Sequence, residues 1–175
     1  MIWTILTGIV LLILAKGLYN ASKLQHIQIV KTVNITSDIE TVFNNVVYLK
    51  NFPKWSPFLE ADPTQKIEIK GTDGQVGAQY HWDGNEGKDL GYQEIKEIKN
   101  LEYIKMECDI QKPFNAQPTF EYTFKQEGGH IKVTQDFNLN SSLVDAFFMG
   151  IFGVKKDMEK INARGMELLK KVSEE

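Results

Sequence analysis

Few side chains in this sequence have the types and spacing that acid–base or nucleophilic chemistry requires. Its three histidines are His26, His81 and His130, and the last two alternate out of phase with the apolar residues around them, which favours solvent exposure. They form no Ser-His-Asp or Cys-His arrangement with other residues. Asp83, two residues after His81, makes no metal site without further ligands. We therefore predict no metal and no cofactor.

Some polar residues nevertheless lie among apolar ones and could face an interior. Gln135 has the parity of the apolar residues in its segment, and Glu94, Tyr80 and Tyr122 are the candidate acids or bases. A polar group inside an apolar pocket must be paired with a neighbour, a ligand or water. Gln135 is therefore expected either in a local hydrogen bond or in contact with a ligand.

Composition narrows the class of protein. A chain of 175 residues suits one domain, and its 42% hydrophobic content allows a real core. The net charge of −3 and the absence of a basic cluster argue against nucleic-acid binding. The single cysteine, Cys108, excludes an intrachain disulfide. Its alignment with Met106 and Ile110 indicates an inert core thiol.

The first segment differs from the rest of the chain. Residues 1–19 are apolar apart from Lys16 and a few threonines and glycines, and a spanning helix needs roughly 17–25 such residues. Trp3 and Tyr19 stand near its two ends, where such rings favour the membrane interface. A secretory signal peptide would carry positive charge before the apolar run, and none is present. A buried soluble helix is the third reading.

These features predict a division of the chain and a localisation. We expect a transmembrane anchor over 1–19, a linker over 20–24 and a globular domain over 25–175. Lysines follow the apolar run and none precedes it, so the positive-inside tendency predicts a single-pass membrane protein with a cytoplasmic domain.

The remaining pattern predicts an α+β domain with seven strands. A strand from Gln25 to Ile35 is followed by a helix that Ser37 or Asp38 caps. Six alternating runs then predict an antiparallel meander. The runs cover about 66–70, 76–83, 90–98, 101–110, 120–124 and 131–139. A long amphipathic helix from about Ser142 to Val172 closes the chain, and the curved sheet must wrap around it to bury its apolar face.

Two glycines interrupt the first turns of that helix. Gly150 and Gly153 lie in the apolar run FFMGIFG, and each weakens a helix by roughly 1 kcal/mol relative to alanine. The run therefore predicts either a loosened helix start or close packing of the helix on the sheet at these positions.

Several residues between about Gln25 and Val172 carry a family resemblance. They are Phe43, residues 52–58 (FPKWSPF), Asp62-Pro63, Gly77 with Tyr80 and Trp82, Gly84-Asn85, Gly87, and Gly91 with Glu94. With them the chain resembles the SRPBCC superfamily of START- and Bet v 1-like helix-grip proteins, and most of all the bacterial polyketide cyclase/dehydrase-like proteins. Bacterial proteins of this kind often carry one N-terminal membrane helix.

The resemblance implies a cavity between the curved sheet and the long helix. The connection at residues 51–58 would lie beside its open end, and Pro53 and Pro57 allow at most a short helical turn there. Its rings would then line the wall or mouth of the cavity, or alternatively fill the sheet end as core. The expected lining residues are Phe52, Trp55, Phe58, Tyr80, Trp82, Glu94, Met106, Tyr122, Gln135, Phe147 and Ile151.

Three functions are compatible with that reading, because a fold does not by itself define an activity. The first is a membrane-tethered, non-catalytic domain that binds a hydrophobic small molecule or lipid. The second is a polyketide cyclase or dehydratase with Glu94, Tyr80 or Tyr122 as its acid or base. The third is a partner-binding domain with a collapsed cavity.

Overall fold

The computed structural model describes Leu12 and residues 15–175. Residues 15–22 are helical, and the chain then enters a seven-stranded sheet. The strands are β1 (His26–Ile35), β2 (Lys66–Lys70), β3 (Gln79–Gly84), β4 (Asp89–Lys99), β5 (Tyr103–Lys112), β6 (Thr119–Glu127) and β7 (His130–Asn140). The helices are α1 (Ile39–Val47), α2 (Pro57–Ala61), α3 (Leu143–Phe152) and α4 (Val154–Glu174), with 3-10 turns at Leu49–Lys54 and Asn85–Gly87.

The strands form one curved antiparallel sheet in the order β1-β7-β6-β5-β4-β3-β2. Strands β2 to β7 make the predicted meander. Strand β1 closes the far side by pairing along its whole length with β7, so that Ile27 faces Leu139 and Val33 faces Val133. The predicted α+β fold, with seven strands and a long C-terminal helix, is confirmed.

The main core lies between the concave face of the sheet and the helices α1 and α4. Its fully buried members include Ile35, Val46, Ile95, Ile104 and Leu169. A buried hydrogen bond, from Asn45 Nδ2 to Ser173 Oγ at 3.0 Å, ties α1 to the end of α4. The last residues of the chain are therefore part of the core.

The segment between α1 and β2 is more helical than the two prolines suggested. Pro53 lies inside the 3-10 turn, and Pro57 is the first residue of α2. A proline at the first helical position has no hydrogen bond to lose. The Ser56 hydroxyl caps the same helix by accepting from the Leu59 N–H at 3.3 Å. The segment thus forms a 3-10 turn and a five-residue helix, where the sequence predicted at most one short helical turn.

The predicted single C-terminal helix is broken at Gly153. This residue ends α3 in the left-handed conformation, with φ of 68°, and α4 begins at the next residue. That conformation suits glycine because it has no Cβ. Gly150 stays helical, and a Cβ there would lie 3.2 Å from the Leu24 side chain. The loosened start is therefore a break at one glycine and a close approach at the other.

The predicted single-pass membrane localisation is wrong, because no helix within the described part of the chain is long and apolar enough to span a membrane. Most of the proposed anchor, residues 1–19, falls outside the described residues. Residues 15–19 of that segment belong to a helix that includes Lys16 and ends at residue 22. Within that helix Ala21 is buried, and a Cβ at Gly17 would lie 2.7 Å from the Phe147 ring, so the helix packs against α3.

Candidate functional site

A cavity of about 100 Å³ lies between the concave face of the sheet and α4. Aromatic rings and amide side chains supply most of its wall. The lining residues are Phe52, Trp55, Pro57, Phe58, Gln65, Tyr80, Trp82, Asp89, Gln93, Cys108, Phe120, Tyr122, Gln135, Ile161, Asn162 and Gly165.

Three rings on one side of the cavity hold each other in edge-to-face contacts. The Phe52 ring lies 4.8 Å from the ring of Trp55 and 5.1 Å from that of Tyr80, centroid to centroid, with interplanar angles near 90°. Trp55 Nε1 donates to the Asn45 carbonyl at 2.8 Å, which ties this wall to α1. Edge-to-face packing of this kind adds to the apolar burial. The wall is therefore a rigid part of the core.

The mouth of the cavity lies at Phe58, the one exposed residue of its lining. Phe58 is 39% exposed, and Pro57 packs against α4, where a Cβ at Gly165 would lie 3.5 Å from the proline ring. Helix α2 has only five residues and none of them is buried. A bidentate pair fastens it to α4, with Arg164 Nη2 and Nε donating to the two oxygens of Glu60 at 2.6 and 2.8 Å. The mouth is thus covered by a short helix that few contacts hold.

Two polar pairs close part of the cavity surface. Gln135 Nε2 donates to the Tyr122 hydroxyl at 2.9 Å, and Trp82 Nε1 donates to Asp89 Oδ1 at 3.0 Å. The first pair joins β7 to β6, and the second joins β3 to the first residue of β4. Of the two alternatives predicted for Gln135, a local hydrogen bond or a ligand contact, the structure shows the local hydrogen bond.

Three ionisable groups of the wall, two phenols and a thiol, have pKa values shifted towards their neutral forms. Burial raises the pKa values of the Tyr80 and Tyr122 hydroxyls, and it raises the pKa of the Cys108 thiol to about 12. All three groups keep their protons at neutral pH. Among the residues described, no group of three or more His, Cys, Asp or Glu could hold a metal ion.

The structure places seven of the eleven predicted lining residues around this cavity: Phe52, Trp55, Phe58, Tyr80, Trp82, Tyr122 and Gln135. The other four lie elsewhere. Met106 is buried in the main core, and Glu94 accepts hydrogen bonds from Gln79 and Lys96 on the outer face of the sheet. Phe147 packs beside Gly17, and Ile151 is 61% exposed.

Two local irregularities explain these misplacements. The register of β4 against β5 shifts between Ile95 and Glu97, so the parity that groups Glu94 with Ile98 does not survive along the strand. Such a bulge reverses the faces of the residues that follow it. The break at Gly153 separates α3 from α4, and α3 contacts residues 15–24 instead of covering the cavity.

Sequence reasoning missed most of the amide side chains. Gln93 shares its parity with Gly91 and Ile95, which are both buried. The alternation over residues 91–95 alone would therefore have placed Gln93 on the inner face. Asn162 lies one turn from Met158 and one turn from Met166 on the apolar stripe of α4, which is also a readable signal. Gln65 and Asp89 stand at or beside strand ends, where alternation carries no information about direction.

Known proteins relate to this chain through their structures. No protein-family model matches the sequence, and no curated protein matches it significantly. Protein CV1439 from Chromobacterium violaceum has a TM-score of 0.63 at 10% identity, over 85% of this chain and 97% of that one. The Aha1 dimer from Colwellia psychrerythraea has a TM-score of 0.59 at 13% identity, over 85% and 96%. Ara h 8.0201 has a TM-score of 0.55 at 15% identity, over 82% and 98%.

These likenesses define the class of fold. The chain has the helix-grip fold of Bet v 1-like proteins, which confirms the coarser part of the resemblance seen in the sequence. Identities of 10–15% show a shared architecture and carry no ligand or activity across. Function must therefore be argued from the cavity.

The Glu60–Arg164 pair yields a first prediction. The hydrogen bonds from Arg164 lower the pKa of the Glu60 carboxyl. The contribution of this pair to the stability of the fold is therefore complete above the ordinary glutamate pKa, roughly 4.3. It is lost as the pH falls through the lower folded value. We expect Glu60→Gln to raise hydrogen exchange in residues 57–62 about two- to fivefold at pH 7, measured by mass spectrometry.

The matched control for this prediction is Glu167→Gln. Glu167 accepts from the same guanidinium, Arg164 Nη1, at 3.2 Å, but both residues belong to α4. Its loss should leave exchange in α2 unchanged. Equal exchange in α2 for both variants and the unaltered protein would show that the pair does not fasten this helix.

Proposed function

We propose that this domain binds a small hydrophobic molecule in the cavity between the sheet and α4, without a chemical step of its own. The observation that carries the proposal is an internal space walled by aromatic rings with its mouth under a weakly held helix. Small-molecule sites are concave and mostly apolar, with a few placed polar groups. The seven lining residues predicted from the sequence are proposed as its ligand contacts.

The size of the cavity limits the ligand. Its volume of about 100 Å³ is below the roughly 150 Å³ of an apolar cavity that accepts benzene, and below the roughly 300–1,000 Å³ of common ligand pockets. A ligand larger than a few heavy atoms therefore requires α2 to move outward with Phe58. The exposed Glu60–Arg164 pair opposes that movement only weakly.

The polyketide cyclase or dehydratase reading is a weaker proposal. It needs an acid or a base in the cavity, and Glu94 lies on the outer face of the sheet, 2.8 Å from Lys96. The one carboxylate of the lining, Asp89, is engaged in the hydrogen bond from Trp82 Nε1. Burial raises the pKa values of Tyr80 and Tyr122, so at neutral pH their hydroxyls serve as hydrogen-bond groups rather than bases. A binding role needs none of these groups to transfer a proton.

A second candidate function follows from the small volume. Side chains already fill most of the space under α4, as expected of a partner-binding domain with a collapsed cavity. In that case the remaining space would hold ordered water, of which about three molecules fit. The two candidates differ in whether a small molecule protects the cavity wall from solvent reagents.

Cys108 supplies a direct test. It is the only cysteine and lines the cavity, so the rate of its labelling by methyl methanethiosulfonate reports access to the wall. Because burial raises the pKa of the thiol to about 12 and only the thiolate reacts, the rate is followed by mass spectrometry at pH 9 and compared with and without each compound. We expect at least one of benzene, indole, naphthalene and decanol, none of which reacts with thiols, to slow labelling about tenfold or more. Native mass spectrometry of protein purified from its host should also show a bound molecule.

The control moves the thiol to the surface. Labelling of a Cys108→Ala, Lys155→Cys variant should be fast and insensitive to every compound, because Lys155 lies on the exposed face of α4. If none of the compounds protects Cys108 and the purified protein is empty, the binding proposal is wrong. The collapsed, partner-binding domain would then be the better description.

A further inference from the structure

Three buried polar atoms at the cavity have no hydrogen-bond partner among the described residues. They are the Tyr80 hydroxyl, Gln135 Oε1 and Asn162 Nδ2. Their residues are 1%, 3% and 3% exposed, and all three line the cavity. They are also the only three such side-chain atoms in the described part of the chain. Because buried polar groups are normally paired, this coincidence indicates that the cavity is suited to an occupant with polar groups of its own.

The three atoms come from three separate elements that enclose the space: β3, β7 and α4. The unpaired atoms are therefore not a defect of one strand or one helix. Gln135 Nε2 already donates to the Tyr122 hydroxyl at 2.9 Å, and the carbonyl oxygen of the same amide is left to accept. Asn162 Nδ2 can only donate, while the Tyr80 hydroxyl can donate or accept.

The charge of the wall restricts the occupant further. Among the described lining residues there is no lysine, arginine or histidine, and the one carboxylate, Asp89, accepts from Trp82 Nε1. An ionised ligand would lose its hydration without gaining a counter-ion. An anion would in addition lie near a carboxylate.

We propose that the cavity recognises an uncharged ligand whose polar end both accepts and donates hydrogen bonds, as a carboxamide or an un-ionised hydroxyl group does. This inference rests on the proposed binding function and names its ligand class. The ligand oxygen accepts from Tyr80 and Asn162, and its N–H or O–H donates to Gln135 Oε1. The apolar remainder of the ligand lies against the Phe52, Trp55 and Tyr80 rings.

Matched single-ring probes test the assignment. Toluene, benzamide and benzoate differ in one substituent, and their affinities can be read from protection of Cys108 in the same assay at pH 9, where benzamide is neutral and benzoate is ionised. We expect benzamide to bind about tenfold or more tightly than toluene, because it pairs groups that toluene leaves unpaired. Benzoate should bind at least about tenfold more weakly than benzamide, because it is ionised.

Two variants remove one unpartnered atom each with little change in shape: Tyr80→Phe and Asn162→Leu. Each should shrink the preference for benzamide over toluene several-fold, because benzamide loses a hydrogen bond that toluene never makes. The ligand-free variants should melt no lower than the unaltered protein, since the deleted atoms have no partner to lose. Tyr103→Phe, on the outer face where its hydroxyl donates to Glu121 at 2.8 Å, should leave the preference unchanged.

The outcomes separate this inference from the function beneath it. If toluene or benzoate protects as well as benzamide, the recognition of a neutral polar end is wrong and hydrophobic binding stands. If Tyr80→Phe and Asn162→Leu both keep the full preference, these side chains do not recognise the ligand. If none of the three probes and none of the earlier panel protects Cys108, and the purified protein is empty, the binding function itself is overturned.

Discussion

Replacing Trp55 with alanine is expected to lower the free energy of unfolding by about 3–5 kcal/mol. The indole is 2% exposed and contacts rings on two sides of the cavity wall, those of Phe52 and Tyr122. Urea denaturation followed by circular dichroism would measure the loss. A variant within 1 kcal/mol of the unaltered protein would contradict this role for the ring.

The indole N–H contributes separately from the ring. In a regular helix the Asn45 carbonyl would accept from the Leu49 N–H, but that N–H donates to Asp73 Oδ1 at 2.6 Å. Trp55 Nε1 supplies the missing donor at 2.8 Å. We therefore expect Trp55→Phe, which keeps most of the ring, to cost about 1–3 kcal/mol for a buried carbonyl left unpaired.

Replacing Gly91 with alanine is the second change with a large expected effect. A Cβ there would lie 2.5 Å from the backbone oxygen of Asp109 and 2.5 Å from Cζ2 of Trp82. The Trp82 ring can shift away from the new methyl group, but the oxygen belongs to β5 and moves only with the strand. We therefore expect the free energy of unfolding to fall by about 1–3 kcal/mol. Because Trp82 lines the cavity, ligand protection of Cys108 should weaken in parallel.

Gly165→Ala is the matched control for that substitution. Gly165 also lines the cavity, but a Cβ there would meet only Pro57, at an ordinary 3.5 Å. Since alanine favours a helix interior over glycine, α4 should gain about 0.5–1 kcal/mol. If Gly91→Ala proves as stable as Gly165→Ala, the close approach at β4 does not constrain the strand.

The sequence contained the information that sets the sheet. Alternation depends only on the direction of successive side chains, so it located strands such as β7 and placed Gln135 on the inner face. The same rule misplaced Glu94, because the register shift after Ile95 depends on how two distant strands fit together. The parity of a residue predicts its face within a regular stretch of strand, but it does not predict where a register shift will occur.

The helical regions show a similar limit. The apolar stripe identified a long C-terminal helix, and the weak point at its glycines was visible. Whether Gly153 would break the helix could not be predicted, because the left-handed turn depends on what α3 packs against. Its contacts, through Phe147 and Gly150, are with residues 15–24, which the sequence had assigned partly to an anchor and partly to a linker.

The cavity itself was the least predictable feature. Its wall could be anticipated residue by residue, but its volume is the small difference between the space under α4 and the side chains that fill it. The approach of α4 to Pro57 at Gly165, and of β4 to the Asp109 backbone at Gly91, contributes to that difference and joins elements that are far apart in the sequence. The sequence pattern of a single segment therefore cannot predict the volume of the cavity.

The pairing of β1 with β7 has a consequence for how the chain folds as it is made. His26 and Asn140 lie 114 positions apart, and the Asn45–Ser173 bond spans 128. Of the seven strands, β1 leaves the ribosome first, and it has no sheet partner until β7, at residues 130–140, has been synthesised. Contacts this distant slow folding, and the unpaired edge of β1 is meanwhile open to other nascent chains. Chaperone dependence during translation should therefore centre on residues 26–35.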